Sequence, residues 1–268
     1  MKLHLTLNLV KRTLLGLCLI GATSQVVAQN SYTITNSSAD AMLSAASPML
    51  NFGAAGTLSI APASSAKGEF DTVLMFNTAN AVSQFNATYG AGDWLITGLT
   101  LSLASNFGTN GAKPSSSILN TVSGGNFGID WLANDTWVEG TGSGNGTSGY
   151  PNNSMVSFDS IASLMAAGYD SLGTYTYAPP GNNVYASYAL VLDASLATNA
   201  AAGGAVSLYF YAADNQVSYL FNSRDYTGNP GNHPELTLTV EPTPEPAAVS
   251  LLAVSLGGIL LWRRAMKQ

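Results

Sequence analysis

Between Ser31 and Val240, apolar and polar residues alternate in short runs interrupted by Gly, Asn and Pro. Thr57-Leu58-Ser59-Ile60, residues 94–103, residues 205–211 and Leu236-Thr237-Leu238-Thr239-Val240 alternate with period two. Successive side chains of a strand face opposite ways, so this period predicts half-buried antiparallel strands. Residues 71–76 and 189–192 are more continuously apolar and predict central strands. Two helical interruptions are expected. Ala79, Val82, Phe85 and Tyr89 recur near helical spacing after Thr78, and residues 160–167 follow Asp159 and stop at Gly168. Many short strands with few helices predict an all-β domain: a two-sheet antiparallel β-sandwich of jelly-roll type with one or two short helical insertions. No internal repeat of solenoid or propeller length is present.

The two ends follow other patterns. Lys2, Lys11 and Arg12 precede the apolar run 14–22, and Val26-Val27-Ala28 supplies small residues. This order reads as a secretory signal over residues 1–28, with signal peptidase cutting between Ala28 and Gln29. Leu17 stands before Cys18, where a lipidation motif needs a small residue. At the other end, residues 241–246 (Glu-Pro-Thr-Pro-Glu-Pro) form a stiff linker, because proline fixes φ and forbids helix. Residues 247–262 are uncharged and mostly apolar. As a helix they span roughly 24 Å, short for a bilayer core of about 30 Å. Arg263, Arg264 and Lys267 then stay on the cytoplasmic side, leaving the domain outside.

Pro244-Glu245-Pro246, the apolar stretch with Gly257-Gly258, and the terminal Arg263-Arg264 resemble the PEP-CTERM sorting signal of Gram-negative, biofilm-forming bacteria. The resemblance implies processing by an exosortase, which removes the helix near the motif. Residues 247–268 would then be a temporary membrane handle, and the delivered product a domain over residues 29–240 at the cell surface or in the extracellular matrix.

Composition narrows what that domain can do. Charged residues make up 9% of the chain, against roughly 25% in an average soluble protein. Between the terminal segments only Lys67, Lys113 and Arg224 are positive, while all 15 acidic residues lie from Asp40 to Glu245. Such a domain repels phosphate backbones, which argues against nucleic acid as a partner. The single cysteine, Cys18, falls inside the leader, so disulfides, zinc–thiolate sites and cysteine nucleophiles are excluded from the processed chain.

Asn51-Phe52-Gly53, Asp135-Thr136-Trp137-Val138-Glu139, Phe221-Asn222-Ser223-Arg224-Asp225 and Pro234-Glu235-Leu236 resemble successive segments of the DNRLRE family. These are secreted β-sandwiches related to polysaccharide-binding modules, and the resemblance implies that fold and exopolysaccharide as a ligand. One departure stands out: a glycine-rich loop, residues 140–149, replaces the second tryptophan segment of that family. Gly144-Asn145-Gly146-Thr147-Ser148-Gly149 matches G-x-G-x-x-G, but no strand runs into it and no helix opens after it. A flexible surface loop is the expectation there.

Catalytic motifs are missing from the sequence. His233 is the one histidine of the processed chain, and neither a Gly-x-Ser-x-Gly elbow nor a His-Glu-x-x-His motif occurs. The expected ligand-binding cluster is Asp130, Asp135 and Glu139 flanked by Trp131 and Trp137, since aromatic faces stack on sugars and carboxylates accept hydroxyl protons. The same acids would serve a glycosidase as the least favoured alternative. A structural or adhesive protein with protein partners is the other. Leu208-Tyr209-Phe210-Tyr211 alternates faces, with the core the expected place for its rings. Arg224 is expected to form a structural ion pair with Asp225, Glu139 or Asp71. No cofactor is expected; a structural Ca2+ is compatible with the supply of oxygen ligands but has no recognisable spacing.

Overall fold

The computed structural model describes residues 30–106, 124–178, 181–228 and 231–243. The signal-cleavage pair Ala28–Gln29, the sorting residues Pro244, Glu245, Pro246, Arg263 and Arg264, and residues 247–262 lie outside the described residues. Among the described residues no helix is long and apolar enough to cross a membrane.

Two antiparallel sheets pack face to face. One has four strands in the order β1 (Asn30–Ile34), β13 (Glu235–Pro242), β6 (Trp94–Ala104), β10 (Tyr185–Leu190). The other has five, in the order β2 (Ala39–Ser44), β5 (Phe70–Asn77), β11 (Ala205–Ala212), β7 (Gly125–Leu132), β9 (Tyr169–Tyr177). Leaving β2 aside, the pairs nest: β1 with β13, β5 with β11, β6 with β10, β7 with β9. Nested pairing of eight strands is one long hairpin rolled on itself, the jelly-roll arrangement. Two short ribbons complete it, β3 (Leu50–Asn51) with β8 (Thr147–Ser148) and β4 (Thr57–Ile60) with β12 (Tyr219–Asn222).

Each alternating run forms a strand, and its apolar residues enter the space between the sheets. Leu99, Leu101, Leu236 and Leu238 from one sheet meet Leu74, Phe76, Leu208 and Phe210 from the other, all at most 2% exposed. Residues 189–192, expected in a central strand, instead end β10 at the sheet edge. Leu190 and Leu192 pack on the core while Ala189 and Val191 are exposed, so the segment has one buried face rather than two. The last strand runs through Glu241 and Pro242, two residues past the end of the alternation.

Helix α1 (Ala79–Tyr89) follows Thr78 and buries Ala81 and Phe85, and Phe85 packs 5.1 Å from Trp94. A 3-10 turn (Phe158–Ser160) continues into α2 (Ile161–Met165), where one short helix is expected. Helix α3 (Ala194–Ala201) was not anticipated. Its signal is local: the Asp193 carboxylate accepts hydrogen bonds from the Ser195 and Leu196 N–H groups, a side-chain N-cap.

The five-stranded sheet has a second apolar layer on its outer face. Ala41, Leu43, Val73 and Leu132 are covered there by Trp137, Val156, Ile161 and Leu164 from the chain between β7 and β9. This cap divides the face into a closed part and an open part, which sets the position of everything below.

Candidate functional site

The outer face of the five-stranded sheet beyond the cap carries the strongest candidate. On β11, Leu208 and Phe210 are buried between the sheets, so period two sends Tyr209 and Tyr211 outward, where both stay half-buried. Their rings lie near-parallel at 26°, with centroids 5.6 Å apart. The Tyr211 ring lies over Gly128, its partner across the strand pair; a Cβ on Gly128 would sit 2.3 Å from Tyr211 Cζ. Asp130 pairs directly opposite Tyr209, Ser171 opposite Asp130, and Tyr169 two residues further along, 52% exposed.

The electrostatics of this face are acidic. The Tyr209 hydroxyl donates to Asp71 Oδ2 at 2.6 Å. Burial, with the Glu69 charge adding to it, pushes the Asp71 carboxyl up to about 7 against the lowering effect of that hydrogen bond. Burial also raises the Asp130 carboxyl, which hydrogen-bonds to Ser171. Both tyrosine hydroxyls are raised, chiefly by burial and then by neighbouring negative charge, Asp71 foremost for Tyr209 and Asp130 for Tyr211. One oxygen of Asp71 and one of Asp130 are buried with no hydrogen-bond partner. Exposed hydroxyls and partly exposed rings are what a polyhydroxylated ligand needs, while the two carboxyls lie beneath them.

The residues expected from sequence do not assemble as one site. Trp131 is 6% exposed and faces the space between the sheets, whereas Trp137 is 7% exposed under the cap, its Nε1–H donating to Ser207 Oγ at 3.0 Å. Both indoles are therefore packing residues, and neither offers a face for stacking. The acids part as well. Asp130 belongs to the open face, Asp135 hydrogen-bonds to Ser207 and Asn199, and Glu139 lies beside Arg224. Alternation explains the split, since Asp130 and Trp131 are consecutive on a strand and must point to opposite faces.

Glu139 holds a second cluster. Its Oε2 accepts from Arg224 Nη1 at 3.0 Å, the ion pair found among the described residues, and its Oε1 accepts from the Asp40 N–H at 2.9 Å. Of the three expected partners of Arg224, Glu139 is the one found; the pairing with Asp225 is corrected, since Asp225 follows Arg224 in the chain and its N–H turns back to Ser223 Oγ, and Asp71 accepts from the Tyr209 hydroxyl instead. Asp40 is fully buried; its Oδ2 accepts from Ser37 Oγ and the Arg224 N–H, and burial pushes its carboxyl up to about 7. Asn51 ties the neighbouring loops together. Its Nδ2 donates to the Glu139 and Val156 carbonyls, and its Oδ1 accepts from the Gly53 and Gly142 N–H groups. The segments around Asn51, Glu139 and Arg224, far apart in sequence, thus converge on one point. The hydrogen bonds found there are all internal, with Asp40 Oδ1 buried and unpartnered, and their convergence from distant segments marks a structural joint.

His233 is likewise internal, with Nδ1 3.1 Å from the Ser223 carbonyl. The loop 140–149 is not free. Thr147–Ser148 pairs with β3, and a Cβ on Gly142 would sit 1.8 Å from the Asn51 carbonyl oxygen. Its glycines permit close docking, a use that composition does not distinguish from flexibility. Among the described residues, no three His, Cys, Asp or Glu side chains are grouped to hold a metal ion.

Of the residues on this face, Tyr169 and Ser171 carry no expectation from the sequence, Tyr211 is expected in the core, and Asp71 is expected only as a partner of Arg224. The alternation of Leu208-Tyr209-Phe210-Tyr211 carried the signal for the rings; the position of the cap, which decides which outward residues stay open, had none. The chain matches no protein-family model and no curated protein.

Proposed function

We propose that this is an exported, exosortase-processed protein of the cell surface or extracellular matrix whose β-sandwich associates with exopolysaccharide without turning it over. The observation that carries the reading is the open half of the outer face. There Tyr169 and Tyr211 stand beside Ser171 and Asp130 on a rigid sheet. Tyrosine supplies apolar contact area at low conformational cost, and the adjacent hydroxyls and carboxyls can exchange hydrogen bonds with sugar hydroxyls. The leader and sorting tail supply the route.

A second reading, an adhesive component with protein partners, draws on a different surface. Met49, Val138 and Tyr150 are exposed in and beside the cap, where apolar side chains favour protein contact. The two readings separate in one experiment: pull-down of the full chain in detergent on polysaccharide extracted from the producing cells. Retention that falls about tenfold in Tyr211→Ala supports the polysaccharide reading. Absence of retention by folded protein, with capture of protein partners unaffected by glycans, supports the other.

A further inference from the structure

The open face also indicates what charge its ligand carries. The outward groups around the Tyr209–Tyr211 pair are acids and hydroxyls: Glu69 and Asp71, the latter holding its proton up to about pH 7, act on Tyr209, and Asp130 and Tyr169 act on Tyr211, with Ser171 beside Asp130. Among the described residues the domain's cations are Lys67 and Arg224, and Arg224 is committed to Glu139 and to the Ser38 carbonyl. A polysaccharide of uronic acids would meet like charge on this face. One bearing ammonium groups would meet the opposite charge.

Asp130 adds a local feature. The residue is 4% exposed and stands on the outer face opposite Tyr209, and its charge acts on both Tyr209 and Tyr211. Its Oδ1 has no hydrogen-bond donor. A buried carboxylate oxygen without a donor is costly, and an ammonium, with three donors and a positive charge, matches it in both respects. Tyr211 supplies the other half, because a ring face attracts a cation. Since Gly128 has no side chain, the Tyr211 ring lies low over β7, next to the Asp130 position on the same face.

We infer, resting on the polysaccharide reading above, that the open face takes a polysaccharide with unsubstituted amino groups. An ammonium would be seated between the Tyr211 ring and the Asp130 carboxylate. The ligand class is therefore a partly de-N-acetylated amino-sugar polymer, in preference to a uronate or a neutral glucan.

The test is retention of the full chain in detergent on immobilised chitosan, on the same polymer after re-acetylation, and on alginate. The expected result is retention on chitosan at least about tenfold above the other two, declining as salt shortens the screening length. Asp130→Asn and Tyr211→Ala should each lower it about tenfold, and Tyr211→Phe, which keeps the ring, should retain it. Asp93→Asn, an exposed acid on the loop between α1 and β6, should stay within about twofold of the parent. A loss in Asp93→Asn equal to that in Asp130→Asn would reduce the effect to general charge attraction and overturn the inference. Equal retention on the re-acetylated polymer would overturn the amino-group requirement while leaving the polysaccharide reading standing. Retention on none of the three, nor on extracted polysaccharide, by protein with an unchanged melting transition would remove both.

Discussion

Asn51 shows how much one side chain can carry. Four hydrogen bonds from its amide fix the carbonyls of Glu139 and Val156 and the N–H groups of Gly53 and Gly142. In Asn51→Ala these groups lose their partners inside the protein. At about 1 kcal/mol for each bond, partly recovered by water at the cap margin, the expected loss is about 3 kcal/mol, read as a lower denaturant midpoint at unchanged slope. Arg224 is a milder case. Its guanidinium is one-third exposed, so much of the attraction to Glu139 is screened, and Arg224→Ala should cost about 1 kcal/mol in the same measurement. At this scale the sequence was legible in kind but not in pairing. Arg224 as a structural cation followed from its isolation among acids. The choice of Glu139 over Asp225 depended on how two distant loops meet, and adjacent residues rarely face each other.

At the scale of elements, alternation located the strands well wherever one face met the core and the other met water. It was weaker for β7, which is buried along most of its length because its outer face is covered too, Leu132 by the cap and Gly128 by the Tyr211 ring. That double burial also misdirected the site. Trp131 and Trp137 beside acids look like a sugar platform in one dimension, yet the pleat sends Trp131 inward and the cap closes over Trp137. The glycine loop is exposed along most of its length yet docked at Gly142, and close docking and flexibility call for the same residue. Gly142→Ala separates the two: docking predicts a loss of about 2 kcal/mol or more as the loop is forced off Asn51, whereas a free loop would tolerate alanine.

For the whole molecule, the topology brings the first and last described residues to one pole. Asn30 lies opposite Val240, Pro242 opposite Trp94, and the Thr243 N–H donates to the Asp93 carbonyl at 2.9 Å. Tyr211 lies six residues along β11 from Ala205, about 20 Å of strand, toward the other end.

The buried acids set the response of the whole fold to pH. Asp40 and Asp71 are both raised to about 7 by burial, so the folded state holds protons that the unfolded chain releases near pH 4. Their contribution is fully present below about pH 4 and is lost as pH rises through about 7. Asp193 and Asp214 act in the opposite sense, since backbone N–H groups lower their carboxyls and their contribution fades as pH falls below about 4. The melting temperature should therefore be highest near pH 4–5 and decline toward pH 8, and Asp71→Asn should flatten that decline. A melting temperature that rises from pH 5 to pH 8 would contradict the protonated state of these two carboxyls.

The central claim concerns one face, and hydrogen–deuterium exchange of the full chain, with and without polysaccharide extracted from the producing cells, tests it at that resolution. The expected result is slowed exchange confined to residues 169–171 of β9, 128–130 of β7 and 209–212 of β11. Protection centred on the cap around Met49 and Tyr150, or no protection by polysaccharide that the protein nevertheless retains, would contradict it.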